Sequence, residues 1–205
     1  MKYASVVGID EVGRGPLAGP VAVAVLQFKV VSIKLKVKKA EANFGFKLKD
    51  SKKLSEKQRE IWFKEIKLWW KKGECNFKVS MISAKEIDKI GISKAIKKCI
   101  FSSLSALRVS ISDPILLDGS LKAPIEYKKQ KTIIKGDEKE PIIALASIVA
   151  KVCRDRLMIR LAKKYPEYGL ESHKGYGTKL HYEAIKAKGL SPIHRRSFLK
   201  NFKVV

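Results

Sequence analysis

The segment Pro141–Lys164 constrains the fold more than any other part of the chain. Pro141 suits the first turn of a helix. Ile142, Ile143, Leu145, Ile148, Val149 and Val152 then leave the first half of that helix apolar almost all round. A helix without a polar face must be enclosed, and the short apolar runs elsewhere supply a sheet to enclose it. Tyr3–Ile9, Val21–Phe28, Asn76–Ile82, Pro114–Leu117 and Thr132–Ile134 read as strands, rich in β-branched residues and bounded by turn residues. Further helices are expected elsewhere. Ser55-Glu56-Lys57-Gln58 has the form of a capping box and opens a helix with Trp62, Ile66 and Trp69 on one face, ending near Gly73. Gly91–Arg108 carries a stripe of Ile96, Ile100, Leu104 and Leu107, with Ser93 as its cap, and Thr178–Lys188 forms another helix. Lys29–Lys49 alternates apolar residues with Lys and reads as a basic β-ribbon or a mobile loop. Strands followed by alternating helix and strand, then helices, mean a mixed α/β sheet, and 205 residues fit one domain.

The formal net charge is +24, from 44 basic and 20 acidic residues. An excess this large points to a polyanionic partner, nucleic acid before an anionic membrane surface, although a lysine-rich composition could produce it with no partner at all. The longest apolar stretches, Pro16–Phe28 and Pro141–Val152, are too short to span a bilayer, so no membrane association is expected. Asp10 and Glu11 interrupt the region where a secretory signal would need its apolar core. Cys75, Cys99 and Cys153 form neither a disulfide framework nor a zinc pattern. A cytoplasmic location is therefore expected.

In so basic a chain the placement of the few acids is informative. Asp10 and Glu11 follow one strand, Asp118 a second and Asp137 a third. Ligands of open α/β folds bind beyond the carboxyl ends of strands. Carboxylates gathered there repel one another unless a divalent cation neutralises them, and oxygen-only ligation suits Mg or Mn rather than zinc. Two such ions can hold a phosphodiester, supply a nucleophilic water and stabilise the leaving oxygen. The alternative is plain turn chemistry at Asp118-Gly119 and Gly136-Asp137 and a solvated corner at Asp10-Glu11. A second alternative, a noncatalytic basic nucleic-acid-binding protein, explains the charge but not the acids. His173, His181 and His194 do not have spacing that forces a zinc site, and no metal is expected on them.

Seven blocks together resemble ribonuclease HII. They are Gly8–Val21 (GIDEVGRGPLAGPV), Asp50–Ser55 (DSKKLS), Leu117–Gly119, Lys135–Asp137, Ala146–Asp155 (ASIVAKVCRD), His173–Lys179 (HKGYGTK) and Pro192–Arg195. The resemblance covers nearly the whole chain. It implies the ribonuclease H-like fold, a five-stranded mixed sheet flanked by helices, with residues 165–205 as a C-terminal helical substrate-binding region of a single catalytic domain. It also implies metal-dependent cleavage of RNA paired with DNA and of single ribonucleotides embedded in duplex DNA, leaving 3′-hydroxyl and 5′-phosphate ends. Asp10, Glu11, Asp118 and Asp137 are then the metal-ligating catalytic carboxylates. Gly13, Arg14 and Gly15 read the ribonucleotide, and Tyr176 senses the RNA–DNA junction.

Lys52, Lys53, Ser147, Lys151, Arg195 and Arg196 are candidates for contacts to the nucleic-acid backbone. Ser147 could instead be a small helix-packing residue, and Asp155, between Arg154 and Arg156, suits a structural ion pair. A monomer is expected. A sliding clamp is a conceivable partner for Ser197–Phe202, but that tail lacks the glutamine such peptides carry. Leu145 departs from the family's usual small residue, and the resemblance gives Lys29–Lys49 no role.

Overall fold

The computed structural model describes residues 5–29 and 33–200. In chain order the elements are β1 (Ser5–Val12), β2 (Val21–Lys29), α1 (Ile33–Phe44), α2 (Glu56–Lys71), β3 (Cys75–Ile82), α3 (Ala84–Ile90), α4 (Ile92–Ala106), β4 (Ile115–Asp118), β5 (Gln130–Ile133), α5 (Gly136–Lys139), α6 (Pro141–Lys164), α7 (Leu170–His173) and α8 (Lys179–Lys188). The strands form one sheet in the order β3-β2-β1-β4-β5. β1–β2 and β2–β3 are antiparallel, whereas β1–β4 and β4–β5 are parallel. This is the ribonuclease H-like arrangement, a five-stranded mixed sheet flanked by helices.

The apolar helix lies where its sequence requires. α6 packs on β1 and β2, and its residues from Ile142 to Ala150 are all buried. Gly8 makes the close approach possible, because a Cβ there would lie 2.4 Å from the Ile142 carbonyl oxygen. On this face α1 and α2 complete a core with Phe28, Trp62, Ile66 and Trp69; the Trp69 ring meets Phe28 edge-on at 5.5 Å. Leu145 is fully enclosed in the same cluster. Leu145→Ala should therefore destabilise the protein by ~2–5 kcal/mol, read by denaturant unfolding; a change under ~1 kcal/mol would mean the cluster closes over the gap. The other face of the sheet packs on α4 through Ile96, Cys99, Ile100 and Leu104.

Several expectations are corrected. Residues 33–44 form a helix, not a ribbon or loop. Ile33, Val37, Ala40 and Phe44 follow helical spacing and pack on the core, and the apparent alternation comes from Leu35, which is exposed. Residues 30–32 of the same segment lie outside the described residues, as do Tyr3 and Phe202. β1 continues past Ile9 to Val12, so Asp10 and Glu11 lie within the strand. α3 was not foreseen; Ser83 caps it by accepting from the Glu86 N–H. Gly91, at φ 80°, then joins α3 directly to α4, so Ser93 sits inside the helix instead of capping it. The capping box at Ser55 is formed as expected, with both reciprocal bonds present.

Candidate active site

Strand register builds the acidic cluster. Ile9 of β1 lies beside Leu117 of the parallel β4, so the next residue on each strand, Asp10 and Asp118, emerges at the same end of the sheet. Asp118 pairs with Ile133 of β5. Beyond β5 the chain turns through Lys135, whose φ of 54° is left-handed, into α5. Asp118 Oδ1 accepts from the N–H of Gly136 at 2.7 Å and from that of Asp137 at 3.4 Å, which fastens Asp137 against the strand ends. Asp137 thus stands on a short helix rather than directly after a strand. The result is three carboxylates, Asp10, Asp118 and Asp137, each with an oxygen within 4.8 Å of the others. Glu11 lines the same cleft and pairs with Arg14 at 3.6 Å.

Asp10 is only 5% exposed, and burial, followed by the charges of Glu11 and Asp118, raises its pKa well above the usual carboxylate range. Its carboxylate accepts from Ser147 and from the Glu11 N–H, at 2.7 Å for the latter, which works the other way. Burial also raises Glu11. Asp137 is pushed up to about 6 by burial and by its neighbours Asp50 and Asp118. Asp50 is a fifth carboxylate that sequence reading passed over as a site residue, although it opens the Asp50–Ser55 block. It is buried and accepts from the Lys52 N–H at 2.9 Å. Burial lowers the pKa of the Lys52 ammonium, but Asp50, Asp137, Asp10 and Asp118 together raise it above the usual lysine value.

This donor set fits a divalent cation. It offers only oxygen ligands, gathered closely, and burial together with mutual repulsion raises the pKa of Asp10 and Asp137, which a bound cation would relieve. An unfolded carboxylate loses its proton near ~4, whereas folded Asp137 keeps its proton up to about 6. The folded form binds more protons between those values, so metal-free stability falls as pH rises through that window. Thermal unfolding with a chelator should give a lower Tm at pH 7.5 than at pH 5, and excess magnesium should reverse the drop at pH 7.5. No recovery with magnesium would argue against a cation at this cluster.

Asp10, Glu11, Ser51, Lys52, Ser147, Lys151 and Tyr176 line one cleft of about 350 Å³. Ser147 is buried, lies 2.8 Å from Ser51 Oγ and hydrogen-bonds the Asp10 carboxylate. Lys151 pairs with Asp155 at 2.9 Å, which makes Lys151 the ion-pair partner of Asp155 in place of its arginine neighbours. Lys53 pairs with Glu138 at 2.7 Å and ties the Asp50–Ser55 turn to α5. Arg59, another residue missed in the sequence, donates to the carbonyls of Ser51 and Leu54 and holds the same turn. Arg14 is half exposed and borders a neighbouring groove with Lys97 and Lys122. Gly13 has φ +83°, and Gly15 has open space where a Cβ would stand. Arg196 is exposed, and its N–H donates to Asp88 at 2.9 Å. Arg195 was expected to contact substrate, but it is fully buried; its guanidinium donates to the carbonyls of Gly13, Arg14 and Gly19 and has no surface to offer a phosphate.

Tyr176 is 41% exposed at the cleft edge, and a histidine relay fixes its backbone. The Tyr176 carbonyl accepts from His181 Nδ1 at 2.9 Å, so His181 Nε2 must accept, at 3.2 Å, from His194 Nε2. His194 Nδ1 then accepts from Ser191 N–H and Oγ–H at 3.0 and 2.8 Å. Burial lowers His181 to about 4, which keeps the relay neutral. His173 stacks on His181 at 4.4 Å, donates to the Tyr168 carbonyl and accepts from the Gly175 N–H. The three rings are together, yet their nitrogens are committed to these bonds and not to a metal.

A ribonuclease H-like sheet whose parallel strands end in a buried carboxylate cluster, in a chain of charge +24, defines a metal-dependent nuclease. The comparisons narrow the class. The family model described as Ribonuclease HII matches residues 7–201, and the chain belongs to that family. Ribonuclease HII of Ruminiclostridium cellulolyticum is 46% identical over 197 residues, covering 96% of this chain and 71% of the relative. Ribonuclease HII of Clostridioides difficile is 43% identical, covering 97% and 71%. A solved structure of the PCNA:RNase HII complex from Archaeoglobus fulgidus superposes with a TM-score of 0.72 at 26% identity, covering 93% of each chain. The chain is an endoribonuclease acting on RNA–DNA hybrids, and its family requires a divalent metal. The noncatalytic alternative is set aside. Among the described residues, no helix is long and apolar enough to cross a membrane.

Proposed function

We propose that this enzyme cuts on the 5′ side of single ribonucleotides embedded in duplex DNA as well as within RNA–DNA hybrids. The observation that carries this reading is the cleft that Asp10 of the carboxylate cluster shares with Glu11 and Tyr176, and whose Val12 leads directly into the Gly13–Gly15 turn. Asp10, Glu11, Asp118 and Asp137 would hold two ions of Mg or Mn. When bound, such ions lower the pKa of a water and neutralise charge developing on the phosphate. The chain's own residues supply position and selection. Glycines at 13 and 15 let backbone groups approach the ribose and hydrogen-bond its 2′-hydroxyl, the local difference between RNA and DNA. Arg14 neutralises an adjacent phosphate. The Tyr176 ring presses on the neighbouring deoxyribose, where a second 2′-hydroxyl would be crowded. Lys52, Lys53 and Lys151 draw the duplex backbone without reading its sequence. Water oxygen bonds to phosphorus, the P–O3′ bond breaks, and the leaving oxygen takes a proton, leaving a 3′-hydroxyl and a 5′-phosphate.

The same reading makes the enzyme a cytoplasmic monomer, in keeping with three free thiols. Tyr176→Ala tests the reading. The variant should slow cleavage at a lone ribonucleotide at least ~10-fold more than cleavage within a long hybrid, about 1.4 kcal/mol of selective transition-state binding. Equal losses on the two substrates would make Tyr176 a general packing or phosphate contact.

A further inference from the structure

Arg154 and Arg195 are both fully buried, large and charged, and each guanidinium is bonded to carbonyl oxygens. A buried guanidinium hydrogen-bonded to main-chain carbonyls, with no carboxylate in direct contact, costs desolvation. Such a group persists where its fixed fork of donors organises backbone that nothing else would hold. The two arginines divide that task. Arg195 grips the ribose-reading loop itself, through Gly13, Arg14 and Gly19. Arg154 reaches across. Its Nε donates to Pro20 at 2.9 Å and its Nη2 to Ala18 at 3.3 Å, both on the loop after Gly15; its Nη1 donates to Lys174 at 3.0 Å, two residues before Tyr176.

The two loops approach as closely as backbone permits. Leu17 N–H donates to the Gly175 carbonyl at 2.8 Å, and a Cβ on Gly175 would lie 2.4 Å from the Ala18 carbonyl oxygen. Lys174 and Gly175 both take left-handed φ values, 52° and 87°, which turns the Lys174 carbonyl toward Arg154. Arg154 also underlies Gly13, where an added Cβ would meet its Nε at 2.2 Å.

We infer that Arg154 is a specificity-positioning residue, setting the spacing between the ribose-reading loop Gly13–Gly15 and the junction-reading Tyr176. The inference rests on the junction reading given above. Its consequence is selective. A uniform hybrid needs only the ribose-reading loop, which Arg195 holds independently. A lone ribonucleotide needs both loops at one spacing. The Leu17–Gly175 backbone bond remains when Arg154 is replaced, so the loops stay joined but less exactly spaced.

Arg154→Lys keeps the charge but not the fork, and Arg154→Met keeps bulk without charge. Each should be assayed on duplex DNA with one ribonucleotide and on a long RNA–DNA hybrid, beside Tyr176→Ala and the double variant Arg154→Lys/Tyr176→Ala. Both arginine variants should lose ~30-fold or more in kcat on the lone ribonucleotide and under ~5-fold on the hybrid, since small misplacements carry costs of this order. In the Tyr176→Ala background, Arg154→Lys should leave the ratio of the two rates unchanged. Parallel losses on both substrates, or a wild-type ratio in a folded arginine variant, would overturn the inference while the junction reading stood. Failure of both arginine variants to fold would make Arg154 a fold-holding residue and also overturn it. If Tyr176→Ala alone leaves the ratio unchanged, the junction reading fails and the inference fails with it.

Discussion

Asp10→Asn should lower cleavage of an RNA–DNA hybrid by at least ~100-fold, equivalent to ~3 kcal/mol of lost transition-state stabilisation, while raising the Tm of the metal-free protein. Both effects have one cause. Asp10 is buried, and burial with the charges of Glu11 and Asp118 makes its ionised form unfavourable until a cation arrives. Asparagine keeps the shape and an oxygen for the Glu11 N–H, and Ser147 stays beside it. It removes the repulsion and, with it, the charge that recruits the metal. A gain of about 1 kcal/mol corresponds to roughly 2–4 °C for a chain of this size. Calorimetry in chelator and single-turnover kinetics at saturating magnesium would check the two halves. Near-normal turnover would remove Asp10 from the metal site, and a lower Tm would contradict the charge-crowding account.

Gly13→Ala and Gly15→Ala should separate protein packing from substrate approach. At Gly13 the backbone has φ +83°, and a new Cβ would meet Arg154 Nε at 2.2 Å. Alanine there must either abandon the left-handed conformation or displace a buried guanidinium, so stability should fall by ~1–3 kcal/mol and cleavage at a lone ribonucleotide by ~100-fold or more. At Gly15 a Cβ has nothing within 4 Å. Gly15→Ala should therefore leave Tm within ~1 °C of wild type, as surface substitutions do. Any loss of cleavage then reports how closely the ribose comes to the backbone. Wild-type cleavage rates by Gly15→Ala would mean the ribose does not pack on this turn.

The sheet and its covering helix were legible because their signals were redundant. An all-round apolar helix, β-branched runs and a capping box agree on one fold. The segment 33–44 was misread because Ile33, Leu35 and Val37 satisfy a period of two as well as they satisfy a helix. Only Ala40 and Phe44, farther along, decide between them. α3 was announced by Ser83 and Glu86 but is a single short element pressed against α4. In the site, the acids were visible because acids are scarce here, yet Asp137 reaches the cluster through a turn that needs left-handed Lys135, and no spacing in the sequence states that. Arg154 and Arg195 were unreadable for a different reason. A fully buried arginine is rare, and a surface phosphate contact is the ordinary expectation for such a residue. Which carbonyls they hold depends on two distant loops, residues 13–20 and Lys174, that only the fold brings together.

In the function proposed above, one cleft joins metal-dependent hydrolysis to recognition of a single 2′-hydroxyl. The most direct test is to incubate the enzyme with magnesium or manganese and three duplexes of one sequence: all DNA, DNA with one ribonucleotide, and RNA paired with DNA. The ends of every product should then be determined. The expected result is an intact all-DNA duplex, scission of the hybrid, and one nick on the 5′ side of the lone ribonucleotide with 3′-hydroxyl and 5′-phosphate ends, both cleavages being abolished by chelator. Cleavage of the all-DNA duplex at a comparable rate, or no nick at the lone ribonucleotide while the hybrid is cut, would contradict it.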